Sequence, residues 1–262
     1  MAFSINSNAG AQAVYNALAK TQSTTQKAQL KLATAKRVNS ASDDTSGWNV
    51  GKQLEAASRK MKSQLSNISS AKNFLNTAET ALQQVYDKLN QIQSKQEDAT
   101  DPLKDATSLQ NDVKTLADEI STILGNTTIN STDLLASASN TFAAGASNVT
   151  INIGAQAGDN STALAALSAG DAGSLTQSIT TFQSNIRTAI TYIGNQSQVL
   201  DSREEFITAA IANNDSAISS IFDADALGEQ MEASKGQIGT QLATSMMGQM
   251  NAAPQQLLQL FR

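Results

Sequence analysis

Acidic side chains form the arrangement in this sequence that comes closest to catalytic chemistry. They include adjacent pairs such as Asp43-Asp44 and Glu204-Glu205. Two carboxylates can serve as a general acid and a general base when both face one substrate, but adjacent residues on a helix point in different directions. Asp43-Asp44 also suits helix capping, for which Asp is a preferred residue. The pairs therefore define no catalytic site, and the sequence predicts a protein that is not an enzyme.

Cysteine and histidine are both absent from the 262 residues. Without them the chain has no disulfide, no thiolate nucleophile, no Ser-His-Asp triad and no ligands for the usual zinc sites. The sequence therefore predicts no catalytic residue, no cofactor and no metal site.

Charge and hydropathy exclude two further classes of function. The chain has 18 basic and 23 acidic residues, a net charge of -5, and its basic residues are not clustered. Nucleic-acid binding needs a dense basic face that neutralises phosphates, so no nucleic-acid partner is predicted. Polar residues interrupt the apolar residues of both chain ends, whereas a membrane span needs about twenty predominantly apolar residues. We therefore predict no membrane insertion.

Two stretches with seven-residue apolar repeats predict the long helices that dominate the chain. In 48–98, two apolar rows lie three or four positions apart, as in a coiled-coil seam. The rows are Met61, Ile68, Leu75, Leu82 and Leu89, and Ala57, Ala71, Ala78, Val85 and Ile92. From residue 174 onward a matching row comprises Ile179, Ile186, Ile193 and Leu200. These rows predict two antiparallel helices in a rod, since fifty helical residues rise about 75 Å.

Shorter elements are predicted between the two long helices. Asp101 and Pro102 are typical of a helix N-cap and of the first helical position. The helix that follows is predicted to fold back on the first long helix and to stop at Gly125. Residues 148–153 alternate polar and apolar positions, which predicts a strand, and 141–144 can pair with it.

Both chain ends lack charged side chains. Residues 1–19 and 236–261 contain none, although their apolar residues have helical spacing. A solvated helix normally carries charged residues on its outward face, so the ends are predicted to be surrounded by other protein. The first twenty residues also lack the basic start and continuous apolar core of a secretory signal peptide. We therefore expect a protein that is cytosolic or exported without cleavage.

Three parts of the sequence resemble bacterial flagellin, the subunit of the flagellar filament. Residues 37–47, RVNSASDDTSG, are similar to the family signature R-[IV]-N-S-A-x-D-D-x-[AS]-G. The stretch 73–82, NFLNTAETAL, resembles a helical stretch ending Q-T-A-E-G-A-L. At the far end, 223–225 (DAD) and 251–261 (NAAPQQLLQLF) are similar to the family's D-A-D and A-N-x-x-P-Q-x-x-L-x-L-L. The connector signature comprises Arg37, Asn39, Ser40, Asp43, Asp44 and Gly47.

The resemblance implies a mainly α fold, a long antiparallel coiled-coil helical rod with a small β-hairpin insert and a discontinuous N/C-terminal helix pair. It implies that polymerisation helices at 1–36 and 223–262 pair with each other. A connector would follow at 37–47, and a core helical domain at 48–222 would include a short β-containing insert at 126–173.

The resemblance also implies a structural subunit that self-assembles into the extracellular filament used for motility. Export would proceed through the flagellar type III apparatus without a cleaved signal peptide. The implied partners are copies of this chain, other flagellin subunits, the export apparatus, an export chaperone, and cap and hook-junction proteins.

Assembly is predicted to depend on large apolar side chains at both ends. These ends would fold when stacked copies supply apolar neighbours, because burial of roughly 1.5 to 3 kcal/mol per large side chain offsets the entropy of ordering. Heterologous contacts that do not close then produce a helical filament. The predicted assembly residues are Ile5, Val14, Leu18, Ile238, Leu242, Met246, Leu257, Leu260 and Phe261.

Two features depart from the family pattern. Many members have L-Q-R-I-R-E-L-A on the outer helix, a surface used between subunits and by the Toll-like receptor that senses flagellin, whereas residues 89–96 are LNQIQSKQ. Loss of both arginines removes bidentate donors, which predicts weak or no Toll-like receptor recognition. Trp48, the single tryptophan, stands where small or aliphatic residues are more usual, and we predict that it is a packing anchor.

Two alternative functions remain open at the level of sequence. A hook-filament junction protein has similar ends, although the connector signature and the length favour the filament subunit. A helical-bundle sensory or binding domain belongs to a different class and would need an inward polar ligand site. The predicted seams are instead apolar or contain Ala.

Overall fold

The computed structural model describes residues 9–129, 131–135, 139–145, 147–158, 161–169 and 172–260, and the side chains of 10–129, 131–135, 139–145, 147–158, 163–167 and 178–250. The helices are α1 (Ala9–Thr34), α2 (Thr45–Asp98), α3 (Ala106–Asn126), α4 (Ile153–Ala157), α5 (Ser161–Ala169), α6 (Ala172–Phe222) and α7 (Ala226–Leu260). The strands are β1 (Thr128–Ile129), β2 (Thr132–Asp133), β3 (Asn140–Ala143) and β4 (Asn148–Ile151). This architecture confirms the predicted mainly α class with a small β insert.

The chain forms two compact units. Unit 1 comprises Met1–Ser58 and Asn213–Arg262, and unit 2 comprises Arg59–Ala212. Unit 1 combines the two ends of the sequence, whereas unit 2 is its continuous middle part. Helices α2 and α6 each contribute residues to both units.

Unit 2 has a core built from the predicted heptad rows. Ile68, Leu75, Leu82 and Leu89 of α2 are fully buried, as are Ile186 and Ile193 of α6. The two helices run antiparallel, since Lys72 Nζ lies 2.6 Å from Asp201 Oδ1 and Gln183 Nε2 donates to Asn90 Oδ1 at 3.0 Å. Side chains of this size fill the space between long helices without large voids.

Helix α3 folds back antiparallel on α2 as predicted. Two ion pairs join them, Lys88 to Glu119 at 2.8 Å and Lys95 to Asp112 at 2.7 Å. The predicted start of α3 was wrong, however, because the N-cap is Asp105, whose side chain accepts from the Thr107 amide. Asp101 instead closes a turn by accepting from the Leu103 amide at 2.9 Å.

The β-hairpin insert pairs β3 with β4 antiparallel, in the register Phe142↔Val149. Gly145, at φ +107, provides the left-handed backbone of the turn. Gln64 Nε2 donates to the Gly145 carbonyl at 3.2 Å, and Arg203 Nη1 donates to the Ala144 carbonyl at 2.9 Å. Side chains from both long helices therefore hold the hairpin turn in unit 2.

Several short elements lie outside the sequence predictions. Strands β1 and β2 pair across a turn in which Ser131 has φ +62. The short helices α4 and α5 follow the hairpin, and Ile153 and Leu167 of these helices are buried. They belong to the core of unit 2.

Candidate assembly surface and connector

Helices α1 and α7 of unit 1 pack antiparallel through small residues. Thr25 and Ala28 of α1 are buried, as are Ala233 and Gly236 of α7. A Cβ atom at Gly236 would lie 2.0 Å from Thr25 Oγ1, so a glycine is needed for this approach. These four residues define the α1–α7 seam.

An ion pair and a second close approach of the two helices agree with this antiparallel register. Lys31 Nζ lies 2.9 Å from Glu229 Oε1, and a Cβ at Gly239 would lie 3.2 Å from Thr21 Cγ2. Thr25 Oγ1 donates to the Thr21 carbonyl at 2.8 Å, so this buried hydroxyl is satisfied within its own helix. The seam therefore brings the two backbones close without burying a large aliphatic side chain.

Large apolar side chains cover the opposite side of α7. They are exposed by 45% to 78% and recur at helical spacing, and we call them the α7 stripe: Leu227, Met231, Ile238, Leu242 and Met246. At 3.6 residues per turn they lie opposite Ala233 and Gly236. Within residues 226–250, α7 thus presents small residues to α1 and the large apolar residues of the stripe to solvent.

The predicted assembly residues fall into four groups. Ile238, Leu242 and Met246 lie in the α7 stripe, whereas Val14 and Leu18 are half-buried on α1. Two further predicted residues, Leu257 and Leu260, lie within α7, but their side chains fall outside the described part. Ile5 and Phe261 lie outside the described residues altogether.

Sequence reasoning missed two members of the α7 stripe. Leu227 and Met231 are 78% and 69% exposed, but neither was named as an assembly residue. They precede the uncharged segment and have charged neighbours such as Glu229 and Glu232. The four-residue spacing from Leu227 to Met231 could have placed both residues on one apolar helix face.

The connector signature forms a hydrogen-bonded turn around Asp43. Its Oδ2 accepts from the Ser40 amide at 2.9 Å, from the Asn39 amide at 3.0 Å and from Ser40 Oγ at 3.0 Å. These bonds, led by the Ser40 and Asn39 amides, lower the pKa of Asp43 below its ordinary value. The charged form of the Asp43 carboxylate therefore stabilises the turn.

The other signature residues link this turn to its flanking helices. Asp44 Oδ1 accepts from the Gly47 amide at 2.8 Å, which caps the start of α2. Arg37 Nη2 donates to the Ile221 carbonyl of α6 at 2.8 Å, and Arg37 Nη1 lies 3.9 Å from Asp44 Oδ2. Asn39 Nδ2 donates to the Lys36 carbonyl at 2.9 Å. The six signature residues thus make two sets of contacts, one around the Asp43 carboxylate and one around the Asp44 carboxylate.

The connector is also joined to the junction between α6 and α7. The Arg37 amide donates to the Phe222 carbonyl at 2.6 Å, and the Ala224 amide donates to the Ala35 carbonyl at 3.1 Å. Ala35 has φ +54, so the backbone turns where α1 ends. These main-chain bonds join the segment between α1 and α2 to the segment between α6 and α7.

Trp48 packs against Phe222 beside this junction. The ring centroids are 6.1 Å apart and the planes cross at 83°, a favoured edge-to-face geometry. Lys52 Nζ lies 4.7 Å from the Trp48 ring centroid. A Cβ at Gly51 would lie 2.2 Å from the Phe222 ring, so this glycine makes room for the aromatic pair.

The paired acids do not converge on a site. Asp43 and Asp44 serve the connector as described, whereas Glu204 lies in an ion pair with Lys72 and Glu205 is exposed. Among the described residues, no acidic cluster is arranged to hold a metal ion. Within the same ranges, no helix combines the length and apolar character needed to cross a membrane.

Family comparisons cover both terminal parts of the chain. The bacterial flagellin N-terminal helical region matches residues 5–141, and the bacterial flagellin C-terminal helical region matches residues 176–261. Together with the helical fold, these matches define a structural protein of the helical-polymer class. The chain belongs to the bacterial flagellin family, which confirms the resemblance carried by the connector signature. No match to an individual curated protein was found.

Proposed function

We propose that this chain is a structural subunit that polymerises through the α7 stripe into the extracellular flagellar filament used for motility. The proposal rests on one observation, which is that α7 has a small-residue face and a large apolar face. Its small residues pack on α1, while large apolar residues such as Ile238 and Leu242 remain 66% and 61% exposed. Exposed apolar rows of this kind are typical of interaction surfaces.

The occupant of the α7 stripe is proposed to be another copy of the chain. No charged residue occurs in 236–261, so a partner with a charged binding face would gain no ion pair from this segment. A second uncharged terminal segment, 1–19, is present in every copy. Stacked copies therefore supply uncharged helical surfaces of matching character, and repeated heterologous contacts produce a helical polymer.

The energetic contribution of each stripe residue follows from its exposed area. Full burial of a Leu or Ile side chain contributes roughly 1.5 to 3 kcal/mol, and more than half of Leu242 remains to be buried. Each such residue then contributes about 1 to 2 kcal/mol per subunit added. Since 1.4 kcal/mol corresponds to a factor of ten in an equilibrium constant, losing one residue raises the critical concentration about tenfold.

The test compares two Leu→Ser substitutions at exposed positions. Leu242→Ser is expected to raise the critical concentration for polymerisation about tenfold, measured by sedimentation and electron microscopy of purified protein. Leu103→Ser is the matched control, because Leu103 is 93% exposed but lies between α2 and α3. Equal polymerisation by both variants, with circular dichroism showing intact monomers, would contradict the proposal.

The remaining partners are proposed from family membership. The export apparatus, an export chaperone, and cap and hook-junction proteins would act on the chain before or during assembly. Overproduced chain that forms no filaments under any condition would favour the hook-filament junction role instead.

Weak Toll-like receptor recognition is proposed from the surface of α2. Gln91 and Gln93 are exposed at the positions where many family members have arginine. Amide side chains lack the charged, planar fork of arginine, so we expect little response from receptor-reporter cells exposed to monomer. The variant Gln91→Arg/Gln93→Arg is expected to increase the response, and a full response to the unchanged chain would refute this proposal.

A further inference from the structure

Two of the five side chains in the α7 stripe are thioethers. Met231 is 69% exposed and Met246 is 45% exposed, whereas Met61 packs against the core of unit 2. Methionine adapts its shape to irregular apolar surfaces, but its sulfur is also open to oxidation when accessible. The proposed assembly surface therefore contains two chemically reactive positions.

We propose that Met231 and Met246 are oxidation sites through which a hydroperoxide controls polymerisation, and that polymerisation in turn protects them. This inference rests on the proposed role of the α7 stripe. It adds a modification chemistry to that surface and predicts that free and assembled subunits respond differently to the same oxidant.

The reaction is a two-electron oxidation of the thioether. The sulfur lone pair attacks one peroxide oxygen, the O–O bond breaks, and an S–O bond forms. The departing oxygen is protonated and leaves as water, so the thioether and hydrogen peroxide give the sulfoxide and water. Sulfur is oxidised by two electrons and the peroxide is reduced by two.

The effect on assembly follows from the position of the sulfoxide group. On the free subunit, the exposed side chains of Met231 and Met246 can present the new S–O group to water, so α7 should keep its fold. In a polymer contact the same polar group would be buried, and burial without a hydrogen-bond donor is unfavourable. The helix would remain intact while the stripe loses its affinity for another copy.

Protection in the polymer follows from access to the oxidant. Oxidation requires the peroxide to reach the sulfur atom, and a stripe covered by another subunit is closed to it. Met231 and Met246 should therefore oxidise faster than Met61 in free subunits and much more slowly in filaments. This reversal distinguishes oxidation controlled by assembly from general damage.

The experiment treats purified full-length monomer with limiting hydrogen peroxide and follows each methionine by peptide mass spectrometry. Wild-type protein oxidised at Met231 and Met246 is expected to show a critical concentration at least about tenfold higher. Incubation with the two methionine sulfoxide reductases, one for each epimer, should restore assembly. Unchanged polymerisation by protein carrying both sulfoxides would overturn the inference.

Matched variants separate the stripe from the other methionines. Leu and Met have similar volumes and exchange with little cost, so Met231→Leu/Met246→Leu should polymerise equally well before and after peroxide treatment. Met247→Leu retains both stripe methionines and should remain sensitive to peroxide. Equal loss of assembly by the double variant and the wild type after treatment would show that another site is responsible.

The untreated samples test the proposed function separately. If untreated wild type and the double Leu variant both fail to polymerise while folded, the role of the stripe is refuted, and this inference with it. If both polymerise and oxidation has no effect, the proposed function stands and the modification site is rejected.

Discussion

The core of unit 2 and the α1–α7 pair of unit 1 differ in the size of the side chains that they bury. In unit 2, Leu75 and Leu82 of α2 are fully buried between helices. In unit 1, the buried residues within 226–250 of α7 are Ala233 and Gly236, and the large apolar residues of the α7 stripe face solvent. Both regions are helical and antiparallel, so secondary structure does not distinguish them.

The difference shows which region can be stable without a partner. Burial of large aliphatic side chains is the main favourable contribution to folding, and unit 2 obtains it within one chain. The backbones of α1 and α7 pack closely, but the large apolar side chains of the α7 stripe remain exposed and do not stabilise the monomer by burial. The comparison therefore predicts that substitutions in unit 2 change monomer stability, whereas substitutions on the α7 stripe change assembly.

The largest expected effect comes from removing a core side chain of unit 2. Leu82→Ala is expected to lower the free energy of unfolding by about 2 to 5 kcal/mol, because Leu82 is fully buried and its loss leaves a cavity. Leu242→Ala on the stripe should change the same quantity by less than about 0.5 kcal/mol. Urea denaturation of both monomers measures these changes. Similar losses of unfolding free energy in the two variants would contradict the difference between unit 2 and the α7 stripe.

A smaller effect is expected at the hairpin turn of unit 2. Arg203 Nη1 donates to the carbonyls of Ala144 at 2.9 Å and Ser147 at 2.5 Å. Arg203 Nη2 also donates to Ser147 Oγ at 3.1 Å, and lysine cannot reproduce this fork of two nitrogens. Arg203→Lys is therefore expected to destabilise the hairpin by about 2 kcal/mol. Hydrogen exchange of the hairpin amides measures the change. Arg187→Lys, at an exposed position on the same helix, should leave those amides unaffected.

The seam of unit 1 can be probed with two Gly→Ala substitutions on α7. Gly236→Ala introduces a Cβ 2.0 Å from Thr25 Oγ1, and overpacking of about 1 to 3 kcal/mol should exceed the helix propensity gain of about 1 kcal/mol. At Gly248 no atom lies within 4 Å of the added Cβ, so Gly248→Ala should stabilise α7. Thermal loss of helicity by circular dichroism compares them.

A second substitution sharpens this test of the seam. Adding Thr25→Ala to Gly236→Ala removes the clashing hydroxyl and should recover part of the lost stability. If Gly236→Ala and Gly248→Ala stabilise the chain equally, α1 and α7 do not approach as closely as the seam requires.

The smallest expected effect is the acid response of the connector. The folded-state pKa of Asp43 lies below its ordinary value of 3.8 because the Ser40 and Asn39 amides donate to it. The stabilisation is therefore present above that value and is lost as pH falls through the folded-state pKa. It should amount to less than about 1 kcal/mol, since the carboxylate is exposed to solvent. Hydrogen exchange at the Ser40 amide between neutral and acidic pH measures it.

The matched control for this acid response lies in unit 2. Asp105 also has a lowered pKa, mainly through its hydrogen bond from Ser108. Asp43→Asn should remove the acid response near Ser40 and leave that near Thr107, and Asp105→Asn should do the reverse. An acid response at Ser40 that survives Asp43→Asn would assign it to another group.

The sequence predicted the features of the fold that depend on large apolar side chains. Ile68 and Leu75 repeat at seven residues and lie in the core, and Val149 and Ile151 alternate with polar residues and form a strand. The start of α3 was misplaced because Asp101 and Pro102 satisfy the same preferences in a turn as at a helix start. Strands of two residues, such as β1, are too short for alternation to be recognised.

The face that α7 presents to α1 was not predictable in the same way. Gly236 and Ala233 contribute little hydrophobic pattern, so no periodicity identifies the side that packs. The sequence predicts Ile238 as an assembly residue, but it does not reveal that this side chain points away from α1. That information comes from the close approach of Gly236 to Thr25.

Trp48 gives unit 1 an intrinsic optical probe. It is the single tryptophan of the chain, and its indole lies edge-on to Phe222 with the Lys52 ammonium above it. Its fluorescence therefore reports on the surroundings of the connector, whereas the far-ultraviolet signal reports on helix throughout the chain. Recording both during one melt would show whether the two units lose their structure together or in sequence, without attaching any dye.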